Sequence, residues 1–341
     1  MVVTSAVSIR LLASRTLNQL RCWISYALSL FGVVRVRHLP TFVSVEPANF
    51  CQLRCPECPV GIASSPNRLS PNRLMPLSIF ERVLEQVQAT AHTMQFYFQG
   101  EPLLNKQLPE MIAMAQKVGL YTIVSTNAQA LNRSMAEALV KSGLNRIIVS
   151  IDGFSEESYA AYRVGGYLHK ALEGLQHLAD AKAQFHSRIR IELQVLRLKS
   201  NEHEWAWIKK NYKKLGATHL VFKTAQLYNF EHGHPLMPTN ERYSRYRKTA
   251  DGSYVHKNHS PLALSPYRLI DSHPCLRLWS GCVITTSGDI LPCCYDKDHR
   301  HALGNITTQS LSDIFHSKKA NALRRCILKG HLPEMCKNCN H

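Results

Sequence analysis

From Phe42 onward the chain alternates short apolar runs with amphipathic stretches of helical length, and that alternation confines it to βα units around a parallel sheet. Candidate strands fall at residues 42–46, 94–98, 121–125, 146–151, 188–196 and 219–223. Helix-length segments lie between them, for example 105–118 and 134–142, the second stopped by Gly143. The segment 155–183 opens on Ser155-Glu156-Glu157-Ser158, an N-cap pattern, and is interrupted by Gly165-Gly166, which predicts two helices rather than one. A length of 341 residues accommodates one large α/β domain and a smaller one.

In parallel barrels and sheets, functional groups collect where the strands end at their carboxyl side. The first candidate strand is followed by Cys51-x3-Cys55-x2-Cys58, the second by Gln99-Gly100-Glu101-Pro102, the third ends in Ser125-Thr126-Asn127 and the fourth in Ser150-Ile151-Asp152-Gly153. Ordinary turn chemistry accounts for any one of these, but not readily for four in succession. Three thiolates in one short loop are one fewer than an iron–sulfur cluster usually takes, so one iron would stay open to a small molecule. Structural zinc sites are closed by four ligands, and no fourth Cys or His stands near the loop. The odd count of eleven Cys and the lack of a convincing secretory leader disfavour disulfides and point to a cytoplasmic chain.

On these motifs the chain resembles the radical S-adenosylmethionine (SAM) enzymes over about residues 42–226. The resemblance implies a partial (β/α)6 TIM-like barrel with Cys51, Cys55 and Cys58 as the catalytic ligands of a 4Fe–4S cluster whose open iron takes SAM. It also implies that Gln99, Gly100, Glu101 and Pro102 stand for the family's Gly-Gly-Glu-Pro motif at the methionyl amino group, with Gln in place of the first Gly. By the same similarity Ser125, Asn127, Ser150 and Asp152 are candidates for the ribose and methionine moieties, and Arg163 for the methionine carboxylate. Arg suits a carboxylate because its planar fork can bind it with two parallel bonds. Gln194, on the fifth strand, carries an amide that could reach ribose or adenine.

A second concentration of Cys follows residue 270: Cys275, Cys282, Cys293, Cys294, Cys326, Cys336 and Cys339. Residues 282–286 and 290–291 read as a hairpin about a Ser287-Gly288-Asp289 turn. A helix at 310–326 would bring Cys336-x2-Cys339 back over it, so that Cys275, Cys293, Cys336 and Cys339 close one cluster. A zinc ribbon is the alternative, and the sequence does not settle whether Cys282 or Cys294 replaces a ligand. The layout is similar to the SPASM and twitch extensions of the same enzymes, with one auxiliary 4Fe–4S cluster implied in a small C-terminal hairpin-plus-helix domain.

The division expected is therefore an N-terminal helical extension at 1–40, the barrel at 41–226, a connector at 227–274 and the auxiliary-cluster domain at 275–341. The uncharged stretch 23–34, flanked by Arg15, Arg21, Arg35 and Arg37, is too short to cross a bilayer and reads as a helix packing on the barrel in preference to membrane contact. The connector is rich in His, including His232, His234, His256, His259 and His273, with no general base identifiable among them.

The resemblance implies an oxidoreductase: reductive cleavage of SAM to a 5′-deoxyadenosyl radical, hydrogen abstraction from a small-molecule or peptide substrate, and an auxiliary cluster that accepts the electron or ligates the substrate. A reduced flavodoxin or ferredoxin is the implied donor. A formal charge of +17 is compatible with acidic partners, but no Lys/Arg tract is dense enough for a nucleic-acid arm, so no specific nucleic acid is expected. Two other readings stand beside this one: a radical SAM enzyme acting on RNA, whose binding would fall steeply with salt, and a non-catalytic metal-binding or assembly protein, which would not turn over the cofactor.

Overall fold

A computed structural model describes residues 9–62, 73–257, 275–336 and 338–339. The chain forms two compact units, interleaved in sequence: Met1–Phe50 with Pro66–Ile123 and Pro266–Cys339, and Cys51–Ser65 with Val124–Ser265 and Asn340–His341.

In the first unit, β1 (Phe42–Val45) lies between β2 (Thr93–Phe96) and β9 (Gly281–Ile284) and is parallel to both. In β1 and β2 the fully buried apolar residues alternate with polar ones along the strand, Val43 and Val45 about Ser44 and Met94 and Phe96 about Gln95, so one face of each strand forms core. Helix α2 (Leu77–Val87) buries Phe80, Val83, Leu84 and Val87, and α3 (Leu108–Lys117) buries Leu108, Met111, Ile112 and Ala115. The C-terminal segment begins with α8 (Leu276–Ser280) and β9, then β10 (Asp289–Leu291) returns antiparallel to β9 across a turn where Gly288 has φ +86°. That turn needs left-handed backbone, which glycine adopts without strain. Strand β11 (Gly304–Asn305) closes the edge against β10. The expected hairpin is present, and its pairing with β1 makes it part of the parallel sheet's edge.

The helix expected at 310–326 is two helices, α9 (Leu311–Phe315) and α10 (Lys318–Leu328). Ser317 breaks the run by capping the second, its hydroxyl accepting from Ala320 N at 3.1 Å.

The N-terminal helix α1 (Ile9–Ser29) buries a polar face: Arg15, Asn18, Cys22, Ser25 and Ser29. The Arg15 guanidinium donates to the carbonyls of Gln88, Val118 and Gly119 at 2.9, 2.5 and 2.9 Å. These carbonyls close the ends of α2 and α3, so one cation satisfies acceptors that helix ends leave open. Asn18 is joined to Leu39 by reciprocal bonds of 2.9 Å. Arg15→Met should lower stability by about 3 kcal/mol, since charge-assisted bonds contribute about 1.5–3 kcal/mol each and are not additive. Chemical denaturation with the midpoint followed by circular dichroism checks it.

In the second unit, β4 (Arg146–Ser150), β5 (Arg190–Arg197) and β6 (His219–Thr224) run parallel in that order, with Ser150 opposite Gln194 and Leu193 opposite Leu220. Strand β3 (Tyr121–Thr126) carries the chain from the first unit into the second. Helix α4 (Arg133–Lys141) is capped by Asn132 and ends before Gly143, which has φ +83°. The segment after Ser155 divides as expected into α5 (Glu156–Ala160) and α6 (Leu168–Gln184) about Gly165-Gly166. Ser155 and Ser158 form a reciprocal capping box, each hydroxyl accepting from the other's backbone N–H at 3.2 Å. Helix α7 (Trp205–Asn211) precedes β6, and a small antiparallel pair, β7 (Tyr246–Lys248) with β8 (Tyr254–His256), follows it. The fold is α/β with a mostly parallel strand set, and all six expected strands are present within two residues of their expected ends.

Candidate functional site

The Cys loop belongs to the second unit. Its backbone turns tightly, with Cys58 N donating to Cys55 O at 3.1 Å and Gly61 N to Cys58 O at 2.9 Å. No side chain fits at Gly61, where a Cβ would stand 2.5 Å from Cys55 O. The Cys51 sulfur accepts from Leu53 N and from Asn127 Nδ2, each at 3.3 Å. Asn127 Oδ1 in turn accepts from Gln52 Nε2 at 3.2 Å and from Gln129 N at 2.9 Å. Asn127 thus orients the loop through its sulfur and its neighbour at once.

Arg163 reaches the loop from the turn after α5. Arg54 N donates to Val164 O at 2.8 Å, which fixes that turn against the loop. The guanidinium then lies with Nη1 4.0 Å from Cys55 Sγ. Its Nε and Nη2 both meet Asp152 Oδ2 at 2.7 Å. The other oxygen, Asp152 Oδ1, accepts from Leu196 N at 2.6 Å. Both partners are largely buried, and Asp152 holds Arg163 protonated far above any accessible pH, together with Cys55 and despite desolvation. Burial pushes the Cys55 thiol up, while Arg163 favours its thiolate.

Two of the sequence candidates are paired by this geometry. Asp152, a candidate for the cofactor's ribose and methionine moieties, is engaged by Arg163 and by the backbone of β5. Arg163, the candidate for the methionine carboxylate, has two of its three nitrogens on Asp152, which leaves the edge at Nη1 facing Cys55. Nothing in either residue's local sequence shows the pairing, because it joins two elements 11 positions apart. Gln194 Nε2 lies 3.5 Å from Ser150 Oγ, so the fourth and fifth strand ends bring those two candidates together. Ser125 is half-buried on β3.

Sequence reasoning missed Glu57, inside the Cys loop. Its carboxylate accepts from Tyr228 N at 2.7 Å and stands 3.2 Å from His234 Nε2, which ties the loop to the connector. Of the connector histidines, His234 is therefore at the Cys loop, His232 is exposed, His256 is buried edge-on to Tyr246, and His259 and His273 lie outside the described residues.

Gln99, Gly100, Glu101 and Pro102 belong to the first unit. Gln99 Nε2 donates to Lys297 O at 2.7 Å, and its Oε1 is buried with no hydrogen-bond partner among the described residues. A Cβ on Gly100 would lie 2.1 Å from Ala48 O, a closeness no side chain tolerates. Glu101 N donates to Phe50 O at 2.9 Å, and the buried Glu101 carboxylate caps the turn Pro102–Leu104 by accepting from Leu103 N at 3.1 Å. Gly100→Ala should cost at least about 1–3 kcal/mol, the scale of overpacking, because backbone must move. A lowered melting temperature checks it.

The C-terminal thiols also lie in the first unit. Cys282 is fully buried on β9 opposite Val43, and desolvation pushes its thiol up to about 12, which marks it as a core residue. Cys293 and Cys294 are hydrogen-bonded to one another, and Arg277 Nη1 lies 3.5 Å from Cys294 Sγ. That bond, with Arg277 and Lys297, favours the thiolate on Cys294, and the same bond holds the proton on Cys293. Burial raises Cys336 to about 12, with Cys275, Cys339 and Cys326 adding to it. Cys275 and Cys336 both pack against Leu278, Trp279, Ile327 and Leu328. Among the described residues no three His, Cys, Asp or Glu side chains converge on a single ion position.

The donor sets suit iron–sulfur clusters chemically: soft thiols, with N–H donors on Cys51 and a guanidinium beside Cys55, the kind of bonding that tunes a cluster's potential. Residues 45–189 match the radical SAM superfamily, and residues 275–340 match the SPASM iron–sulfur cluster-binding domain. The chain carries a radical SAM domain followed by a SPASM domain. As a radical SAM enzyme it uses SAM and a 4Fe–4S cluster, and its SPASM domain is an auxiliary iron–sulfur module. It is similar to the PqqA peptide cyclase of Rhizobium meliloti (strain 1021), 26% identical over 314 residues, covering 88% of this chain and 79% of the relative. The PqqA peptide cyclase of Xanthomonas campestris pv. campestris (strain 8004) is 25% identical over 308 residues, covering 88% and 79%. Among solved structures, Streptococcus suis SuiB bound to S-adenosylmethionine has a TM-score of 0.63 at 14% identity over 89% of this chain and 73% of SuiB. The structure of anSMEcpe with bound AdoMet has a TM-score of 0.59 at 16% identity, covering 88% and 86%. These neighbours share the α/β fold of this chain. No helix among the described residues is long and apolar enough to cross a membrane.

Proposed function

We propose that this radical SAM enzyme oxidatively modifies a peptide or protein side chain, with Cys51, Cys55 and Cys58 holding the SAM-cleaving cluster and Cys275, Cys293, Cys336 and Cys339 holding one auxiliary cluster. The observation that carries the reading is the Cys51-Cys55-Cys58 loop set by Asn127 and Arg163. When bound, the cluster and SAM supply one electron and a 5′-deoxyadenosyl radical. Asn127 fixes the orientation of Cys51, and Arg163, aligned by Asp152, keeps a positive charge beside Cys55. The buried, unpaired Gln99 Oε1 is an acceptor for the methionyl ammonium, and the close approach at Gly100 keeps side chains away from the backbone beside it. Ser150 and Gln194 are proposed at the ribose and adenine.

The peptide substrate is supported by the relatives that are peptide cyclases and by the SuiB structure bound to its precursor peptide SuiA. The balance of 41 Lys and Arg over 24 Asp and Glu suits an acidic peptide and an acidic flavodoxin or ferredoxin donor. The functional division proposed is a barrel at 41–226, a connector at 227–274 and an auxiliary-cluster segment at 275–341. An isotope-transfer experiment tests the substrate class. The reconstituted protein is supplied with SAM, reductant and either the peptide or the small-metabolite fraction of cells grown in deuterated medium. Deuterium entering 5′-deoxyadenosine from the peptide fraction supports the reading, and transfer from the metabolite fraction alone contradicts it.

A further inference from the structure

Helix α1 is inverted relative to an ordinary surface helix. Its polar residues Arg15, Asn18, Ser25 and Ser29 are buried: Arg15 and Asn18 are bonded as described above, Ser25 lies 3.1 Å from His38 Nδ1, and Ser29 donates to Tyr26 O at 2.6 Å. Its large apolar residues face outward: Leu12, Leu17, Leu20, Trp23 and Ile24 are about half exposed, and Phe31, just past the helix, is 67% exposed. Positions 12, 16, 20, 23, 24 and 27 recur at intervals of three and four, so they form one continuous stripe. The polar member of that stripe, Thr16, turns its hydroxyl back onto Leu12 O at 2.9 Å and presents its methyl. An apolar stripe of this extent on the outside of a folded protein marks a contact surface.

The charges around it select the occupant. No Asp or Glu occurs before Glu46, whereas Arg21 borders the stripe and Arg35 and Arg37, both exposed, follow the helix end. Trp and Leu on one face with Arg at its borders is the composition of helices that lie in the headgroup region of a bilayer. The helix is not apolar enough to span, and its polar face is already occupied by the protein, so it can only lie flat.

We propose that the outward face of α1 docks this protein on an anionic lipid surface, with Leu20, Trp23, Ile24 and Phe31 entering the interface and Arg21, Arg35 and Arg37 meeting lipid phosphates. The inference concerns attachment and does not depend on the substrate reading. Anionic lipid adds attraction for each exposed Arg near the surface, which salt screens.

Vesicle co-sedimentation of the full chain tests it, with phosphatidylglycerol–phosphatidylcholine vesicles beside pure phosphatidylcholine, at low and high salt. Binding is expected to the anionic vesicles, to weaken with salt, and to fall about tenfold or more in Leu20→Glu and in Trp23→Glu. The double variant Arg35→Glu/Arg37→Glu should also weaken it. All of these side chains are exposed, so unchanged melting temperatures and unchanged 5′-deoxyadenosine yield should accompany the loss. Absence of binding to anionic vesicles overturns the proposal, as does binding that survives Leu20→Glu and Trp23→Glu. Self-association that disappears in those variants without any lipid binding would make the face a protein contact and also overturn it.

Discussion

The variant Cys51→Ala/Cys55→Ala/Cys58→Ala is expected to lose 5′-deoxyadenosine formation altogether while keeping about half of its iron, roughly four of eight atoms per chain. The two thiol groups lie in separate stretches of chain and in separate compact units, so removing one set leaves the ligands of the other intact. Without its thiolates the loop offers no soft donors, and the bonds from Leu53 N and Asn127 Nδ2 have no sulfur to meet. Cys282→Ala is the matched control. That thiol is packed in β9 and should leave iron content unchanged, with only a modest loss of stability from the small cavity. Iron analysis of the anaerobically reconstituted proteins, with chromatographic detection of 5′-deoxyadenosine, checks all three outcomes. Full iron retention in the triple variant would remove the loop from the ligand set.

Breaking the pair at Asp152 has the second large effect. Asp152→Ala leaves the Arg163 cation buried and uncompensated, and removes the acceptor of Leu196 N. Truncating one partner of a buried ion pair typically costs about 3–5 kcal/mol, whereas replacing both partners with apolar groups of similar size is often close to neutral. Asp152→Ala should therefore unfold at distinctly lower denaturant, and Asp152→Leu/Arg163→Met should recover most of that loss. Recovery of stability should not bring back SAM cleavage, because the double variant still lacks the guanidinium beside Cys55. A double variant that is both stable and fully active would reduce the pair to a structural role.

Much of this architecture was legible from local pattern. Runs such as Ile147-Ile148-Val149 and Ile123-Val124 announce buried parallel strands by composition alone, and Gly165-Gly166 announces a helix break. Where structure depends on distant partners, the sequence was silent. The parallel pairing of β9 with β1 joins residues more than two hundred positions apart. The stretch 23–34 was read as a helix packing on the barrel, whereas the helix, α1, spans Ile9–Ser29 and is anchored through Arg15 and Asn18, whose carbonyl and amide partners come from elsewhere in the chain. The break at Ser317 was present as a capping residue inside an otherwise helical run, and propensity alone hid it. At the site, the residue types and their strand-end positions were readable, and the division of labour was not: Asp152 serves Arg163, Asn127 serves Cys51, and Glu57 serves the connector. Each of those assignments is set by a side-chain contact between segments that only the fold brings together.

The most direct test of the central claim is anaerobic incubation of the reconstituted protein with dithionite and SAM, with 5′-deoxyadenosine quantified beside iron and zinc. The expected result is 5′-deoxyadenosine in protein holding about eight irons per chain, the content of two four-iron clusters. Zinc in place of iron, with SAM left intact, would contradict it.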